Sequence, residues 1–321
     1  MLQEKGLVNK MVNVKKTLRS YKGMTIRNIK VYIKDKTAIL LSMLTQIIVL
    51  GLYLLFLKNS YVDMISSSLN ELGDLVSNAD IQALVNSWLV AGVIGTSVVT
   101  VALNSLKTMV SDKEERIDFD YNASPVKSGT VIMSYFSGAV TSTFIISSIL
   151  LTAGFGFIAI SGNFVYNLYD ILKLYGLVLL GSVSSTIILM LFASFFKKNS
   201  SLGSFGILVS TAIGFVIGAY MPVSQFGEGV QTAVNLVPGS HIACLMRNVL
   251  MGSALDKIDT ALNGIDKGMF AEEIKNTFSF ELNIFGIDFD INMMLVYSFV
   301  AIAVFLVLNL VSFRISSKRK D

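Results

Sequence analysis

One histidine, His241, and one cysteine, Cys244, stand alone of their kinds in 321 residues. An ordinary zinc or haem site and an internal disulfide framework therefore have too few members to form. The sequence also has no G-x-x-x-x-G-K-[ST] loop to cradle phosphates, no H-E-x-x-H pair and no G-x-S-x-G elbow. It names no catalytic residue, no metal ligand and no cofactor of its own. His241, beside Ser240, reads as a hydrogen-bonded or interfacial side chain.

What the chain does offer is contact chemistry, in two segments. Residues 111–129 read SDKEERIDFDYNASPVKSG, with five acids and three bases, and Pro125 breaks what begins as a helical pattern. Such a cluster is either a solvated face or a surface for a soluble partner. Residues 224–290 are too long for a plain turn. Their first half, SQFGEGVQTAVNLVPGSHIACLMRNVLMG, is apolar and is interrupted at Pro238 and Gly239, with Ser240 placed to cap a following helix. It reads either as two short helices re-entering a membrane, with the break buried in protein or lining a cavity, or as an amphipathic external cap. Arg247 is suited to satisfy bare carbonyls or to pair with an acid. Residues 254–290 are mixed and acidic, which predicts an exposed excursion.

The elements that must position these segments are membrane spans. The composition is 53% hydrophobic and 15% charged, with a mean hydropathy of +0.65, where a soluble domain has about a quarter of its residues charged. A helix needs about 20 apolar residues to cross the bilayer core. Six stretches qualify: 37–57, 83–103, 131–160, 172–196, 203–223 and 291–313. The predicted fold class is all-α, a polytopic membrane protein with six transmembrane helices. The spans contain almost no ionisable groups, which argues against an ion-coupled relay. Their polar residues are uncharged, among them Gln46, Asn86, Ser142, Ser147 and Ser185, and with Gly138, Gly154 and Gly181 they suit close helix packing.

Six spans place both termini on one side. That side collects 20 of the 26 Lys and Arg: ten in residues 1–36, four in 107–127, Lys197 and Lys198, and four in the tail 314–321. The positive-inside rule makes it cytoplasmic, and the basic excess is thereby explained without nucleic acid. Residues 224–290 carry nine acids and four bases and belong outside. No secretory signal peptide is read in the basic first 36 residues. There, Leu18, Tyr21, Thr25, Ile29 and Tyr32 recur at helical spacing between basic residues. This predicts either an amphipathic helix on the inner membrane surface or a solvated basic arm.

At the two connecting segments the sequence resembles the type-2 ABC exporter permeases, in particular small bacterial drug and peptide exporters. DKEERIDFDYNASPVKSGTVIMSYF is similar to the charged coupling helix of that family, followed by its serine, proline and basic residue at Ser124, Pro125 and Lys127. VNLVPGSHIACLMRNVLMG resembles the outer re-entrant segment, with Pro238 and Arg247 at the matching positions. The chain departs from the pattern in having Ile117 and Asp118, rather than glycine and threonine, after the acidic and basic pair. The resemblance implies a dimeric permease in the cell membrane, paired with itself or a similar chain and joined to two cytoplasmic ABC ATPase subunits that hold ATP and Mg. It further implies that Asp112, Glu114, Glu115, Arg116, Phe119 and Pro125 couple to the ATPase, and that Pro238 and Arg247 form an outer gate. Two other readings compete: a secondary transporter or channel, and a noncatalytic membrane scaffold or immunity protein.

The charge distribution generates a direct test of topology. With Cys244 replaced, an impermeant thiol reagent should label cysteines at Ser67 or Asp266 in intact cells and spare those at Ser111 or Ser317; the reverse pattern would overturn the assignment.

Overall fold

The computed structural model describes residues 2–318, so the tail residues Arg319 and Lys320 lie outside it. The chain is an all-α polytopic membrane protein. Its elements run α1 (Leu2–Lys34), α2 (Lys36–Leu52), a π-helical turn (Tyr53–Leu57), α3 (Lys58–Leu69), α4 (Asn78–Glu114), α5 (Ile117–Ala123), α6 (Ser128–Ser161), α7 (Leu168–Phe195) and α8 (Asn199–Val216). Then come α9 (Glu228–Asn235), α10 (Pro238–Leu262), α11 (Met269–Thr277), the hairpin β1 (Leu282–Ile284) and β2 (Ile287–Phe289), and α12 (Ile291–Lys318). Six helices are long and apolar enough to cross a membrane: the continuous α2–α3 unit, α4, α6, α7, α8 and α12.

The spans agree in number and order with the sequence reading, and several ends move. The first runs on through the π turn to Leu69, and the second extends from Asn78 to Glu114. Charged residues stop a hydropathy window but not a helix. The fifth ends at Val216 rather than 223, because the Ala219 and Tyr220 N–H groups both fold back onto Gly214 O and Gly218 adopts φ +73°. The Tyr220 ring lies where a Gly214 Cβ would stand, so any larger residue there would have to displace that ring.

α4 is the axis of the bundle, and α2, α6, α7, α8 and α10 all pack on it. Its best apolar window is 89% buried, against 28% for α6 and 17% for α12. Several hydroxyl and amide side chains on α4 are satisfied locally, as Ser87 bonds Ala83 O, Thr96 bonds Gly92 O and Asn104 bonds Thr100 O. They are also satisfied across helices: Ser97 with Ser147 (2.8 Å), Thr100 with Gln46 (2.9 Å), Ser87 with Tyr166 (2.6 Å) and Asn86 with both Tyr53 (2.5 Å) and Ser161 (2.9 Å). Small residues let backbones approach. A Cβ at Gly154 would stand 2.7 Å from Val90, and one at Gly181 would stand 2.9 Å from Ile242 and 3.3 Å from Val98.

Two readings of residues 224–290 need correction. Pro238 does not interrupt a helix; it occupies the first turn of the 25-residue α10, where its missing N–H costs nothing, and the break falls just before it at Leu236 and Val237. Ser240 is not the cap, since its hydroxyl bonds Val216 O and Val234 O. α10 starts beside Gly95, Val99 and Gly181, about midway along α4 and α7, and runs to the end of the bundle where Lys257 meets Asp80. The segment therefore does re-enter the bundle. Residues 254–290 are also not a loose excursion. Ile258, Leu262, Phe270, Ile274 and Phe278 are buried in a cap, and the Phe278, Trp88 and Tyr61 rings cluster with centroids 4.7 to 5.7 Å apart. Asp266 is buried and accepts the Phe270 N–H, so among the topology probes the exposed Ser67 is the better placed.

Close packing at Gly181 predicts that Gly181→Leu destabilises the bundle by about 1–3 kcal/mol or more. Gly176→Leu, on the same helix with open space around it, should stay near wild type. Thermal unfolding in detergent would read both; equal melting temperatures would refute the tight α7–α10 seam.

Candidate coupling and gating sites

The 111–129 segment begins inside α4. That helix continues unbroken to Glu114, and Arg116 then turns the chain with a left-handed φ of 61°, which launches α5. At the far end, the Ser124 hydroxyl bonds Tyr121 O, and the Val126 N–H reaches the Ser124 hydroxyl across Pro125 before α6 starts at Ser128. α5 is thus a short charged helix held between two spans. Glu114, Glu115, Arg116, Phe119 and Pro125 are exposed, Phe119 at 61%.

Asp112 is different. It is 2% exposed and cannot face a soluble partner. Both carboxylate oxygens are taken by the Arg27 guanidinium of α1, one at 2.7 Å from Nη2, and the Tyr135 hydroxyl of α6 donates to it as well. An arginine fork on a carboxylate is among the stronger ion-pair geometries. Around it, Asn28 bonds Ser134 (3.3 Å) and Tyr21 bonds Ser137 (2.5 Å), fastening α1 along α6. Of the expected stripe, Tyr21, Thr25 and Tyr32 therefore turn toward protein rather than lipid, while Leu18 is exposed and Ile29 half-buried.

Further ties converge on the same face. Glu114 accepts the first N–H of α8 at Asn199 (2.8 Å), Asn199 bonds Ser111 (2.8 Å) and Lys113 bonds the α7 carbonyl Ser194 O (3.0 Å). Asp35 caps α2 through the Ala38 N–H (2.9 Å) and pairs with Lys107 (3.0 Å). Burial opposes its charge, but the Ala38 N–H and the Lys107 ammonium outweigh that and hold its pKa below the usual carboxylate range.

At the opposite face Arg247 is 2% exposed, and its guanidinium donates to three carbonyls: Phe278 O (2.6 Å), Ser279 O (2.9 Å) and Ile217 O (2.9 Å). Of the two roles open to it, it satisfies carbonyls. It joins the end of α8, the middle of α10 and the cap. Asp80, at the start of α4, pairs with Lys257 (2.8 Å) and accepts from Asn163 (2.7 Å). His241 is buried, hydrogen-bonded to Asn235 O (2.8 Å) and stacked on Tyr297 (centroids 4.0 Å apart).

Sequence reasoning missed Arg27, Tyr135, Asp80 and Lys257. A signal for the first pair was present, because Asp112 continues the 101, 105, 108 spacing of the inward α4 face. An acid on that face needs a basic partner. Between α2 and α8 lies a cavity of about 890 Å³, lined by Leu44, Ile48, Ile207 and Phe215 with Thr45, Asn104, Lys107 and Ser210.

Six spans around a buried axis, with polar ties at both ends, make a polytopic membrane bundle. Residues 75–311 match the family model described as ABC-2 family transporter protein. The chain belongs to that family and is a membrane permease subunit of an ABC transporter; α1, α2 and α3 precede the matched region. No curated protein and no solved structure matches the chain.

Two substitutions separate the ties. Asp112→Asn should free α1 from α4, so that its basic residues are cut faster by trypsin while membrane insertion is unchanged. Arg247→Ala strands three buried carbonyls, each charged hydrogen bond being worth about 1.5–3 kcal/mol. It should lower the melting temperature and transport together, with the chain still in the membrane; unaltered melting and transport would remove Arg247 from the gate.

Proposed function

We propose that the chain is the permease of an ATP-driven exporter, working as a pair of permease chains with two separate cytoplasmic ABC ATPase subunits. It moves a drug, peptide or other amphiphilic substrate out of the cell, and ATP and Mg reside on the ATPase subunits. The observation that carries this reading is α5. It is a short charged helix with a 61% exposed phenylalanine, joined at one end to the buried axis α4 and at the other to α6. A push on it reaches the core of the bundle within one turn.

The basic face is cytoplasmic in this reading, since it carries the excess of Lys and Arg. The second permease chain sits against α2 and α8, whose Leu44, Ile48, Ile207 and Phe215 are exposed around the 890 Å³ cavity. Apolar walls with a few polar groups suit an amphiphilic substrate. Pro238 and Arg247 hold the outer closure beneath which it passes. Among the coupling residues Phe119 contributes most, because burying a phenylalanine is worth about 1.5–3 kcal/mol and an exposed ion pair about 0–1 kcal/mol. Asp112 contributes from within, by fixing α1 against α4.

Phe119→Ala should weaken copurification with the ATPase and uncouple hydrolysis from transport, while Glu114→Ala, which loses one helix cap, should have a small effect. If Phe119→Ala and the combined Glu115→Ala, Arg116→Ala variant both keep normal ATPase binding and export, the coupling role of α5 is refuted.

A further inference from the structure

α1 presents three different flanks, and only one is accounted for by the bundle. Tyr21, Thr25, Asn28 and Tyr32, spaced four, three and four residues apart, turn toward α6 and α2. The next flank at 3.6 residues per turn carries Leu18, Ile26 and Ile33, which are 63%, 41% and 48% exposed, with the half-buried Ile29 and the exposed Lys15 and Lys22, whose long stems can reach the headgroups, among them. Beyond it is a basic edge of Lys16, Arg19, Lys30 and Lys34, all exposed and none paired with a carboxylate among the described residues.

Depth decides what these flanks meet. Ser134 and Ser137, the α6 partners of Asn28 and Tyr21, lie six and nine residues past the start of α6, roughly 9–14 Å along a helix that crosses the bilayer. A 34-residue helix is roughly 51 Å long and the hydrocarbon core about 30 Å thick, so with α6 centred on the core this is the boundary between headgroups and acyl chains. An acidic protein surface would leave the exposed leucine and isoleucines in water, whereas a membrane surface takes both flanks at once. The buried Arg27–Asp112 pair and the Asn28 and Tyr21 bonds hold α1 at this depth and rotation.

We propose that α1 is a binding site for anionic phospholipid headgroups, with Lys16, Arg19, Lys30 and Lys34 contacting phosphate while Leu18, Ile26 and Ile33 enter the acyl region. The site is fixed in position by the same carboxylate that anchors the α4–α5 corner, so lipid charge acts on the coupling element from inside the membrane. It rests on the proposed function only in taking the basic face as the one that meets the anionic leaflet.

The test uses the full chain in a Cys244→Ala background, with a fluorophore on Ile26→Cys or, as a control, on the exposed α12 residue at Val300→Cys. The chain is placed in phosphatidylcholine vesicles containing either brominated phosphatidylglycerol or brominated phosphatidylcholine. At position 26 the anionic lipid should quench with several-fold higher apparent affinity, and neutralising two of the basic residues should remove most of that preference. At position 300 there should be no preference. Added salt should erase the preference in the unsubstituted basic edge, which keeps the test decisive if a variant with Lys16, Arg19, Lys30 and Lys34 all changed to Gln fails to insert; Lys30→Gln with Lys34→Gln serves as the milder variant. Equal quenching by the two lipids at position 26, or a preference insensitive to salt and to these variants, would overturn the proposal and leave the edge for an acidic protein surface. The readout needs neither ATPase nor substrate, so its failure is distinguishable from failure of the exporter reading.

Discussion

A helix surrounded by other helices inside a membrane has no water to satisfy its polar groups, and α4 is built under that constraint along its whole length. Each hydroxyl that returns to its own backbone leaves the helix surface free to pack, and each that reaches a neighbour adds a directional contact where apolar packing alone specifies little. The pairs with Gln46, Ser147, Tyr166 and Tyr53 therefore fix which helices surround α4 and at what height. The glycines and alanines between them set how near those helices come.

Because α4 is buried along most of its length, the ionic ties near its two ends are mechanically connected. Asp112 and Lys107 engage α1 and the start of α2 at one end, and Asp80 engages α10 and the loop before α7 at the other. A rigid element of this kind carries displacement rather than absorbing it, provided that each end has a second arrangement available. The ion pairs are suited to that task, since they exchange partners more readily than interdigitated apolar side chains.

The spans were legible because lipid demands uninterrupted apolar length, and the count of six follows from that alone. Their ends were not, since Asp80 and Asp112 look like boundaries in a hydropathy window although both are helical and inward-facing. The exposed part of the coupling segment was readable from Phe119 and the charges around it. Asp112 was misassigned because a cluster of charges does not announce which member points into the bundle; its partner is 85 residues away. Likewise, a proline between apolar runs indicates a helix boundary without saying which side of the boundary it occupies, and Pro238 begins α10 rather than interrupting it.

The π turn at Tyr53–Leu57 has a consequence for the azimuth of the first span. Tyr53 and Tyr61 are both buried on the inner side, eight positions apart. In an unbroken α-helix they would diverge by roughly 80°, and absorbing one residue in a wider turn brings them back to within roughly 20°. The turn is thus a phase corrector: it lets one continuous helix keep Tyr53 on Asn86 and Tyr61 against Trp88 while the intervening residues Leu54, Leu55 and Phe56 remain outward. Resolving that wide turn would rotate the two halves of the helix against each other without changing its length by more than about one residue's rise.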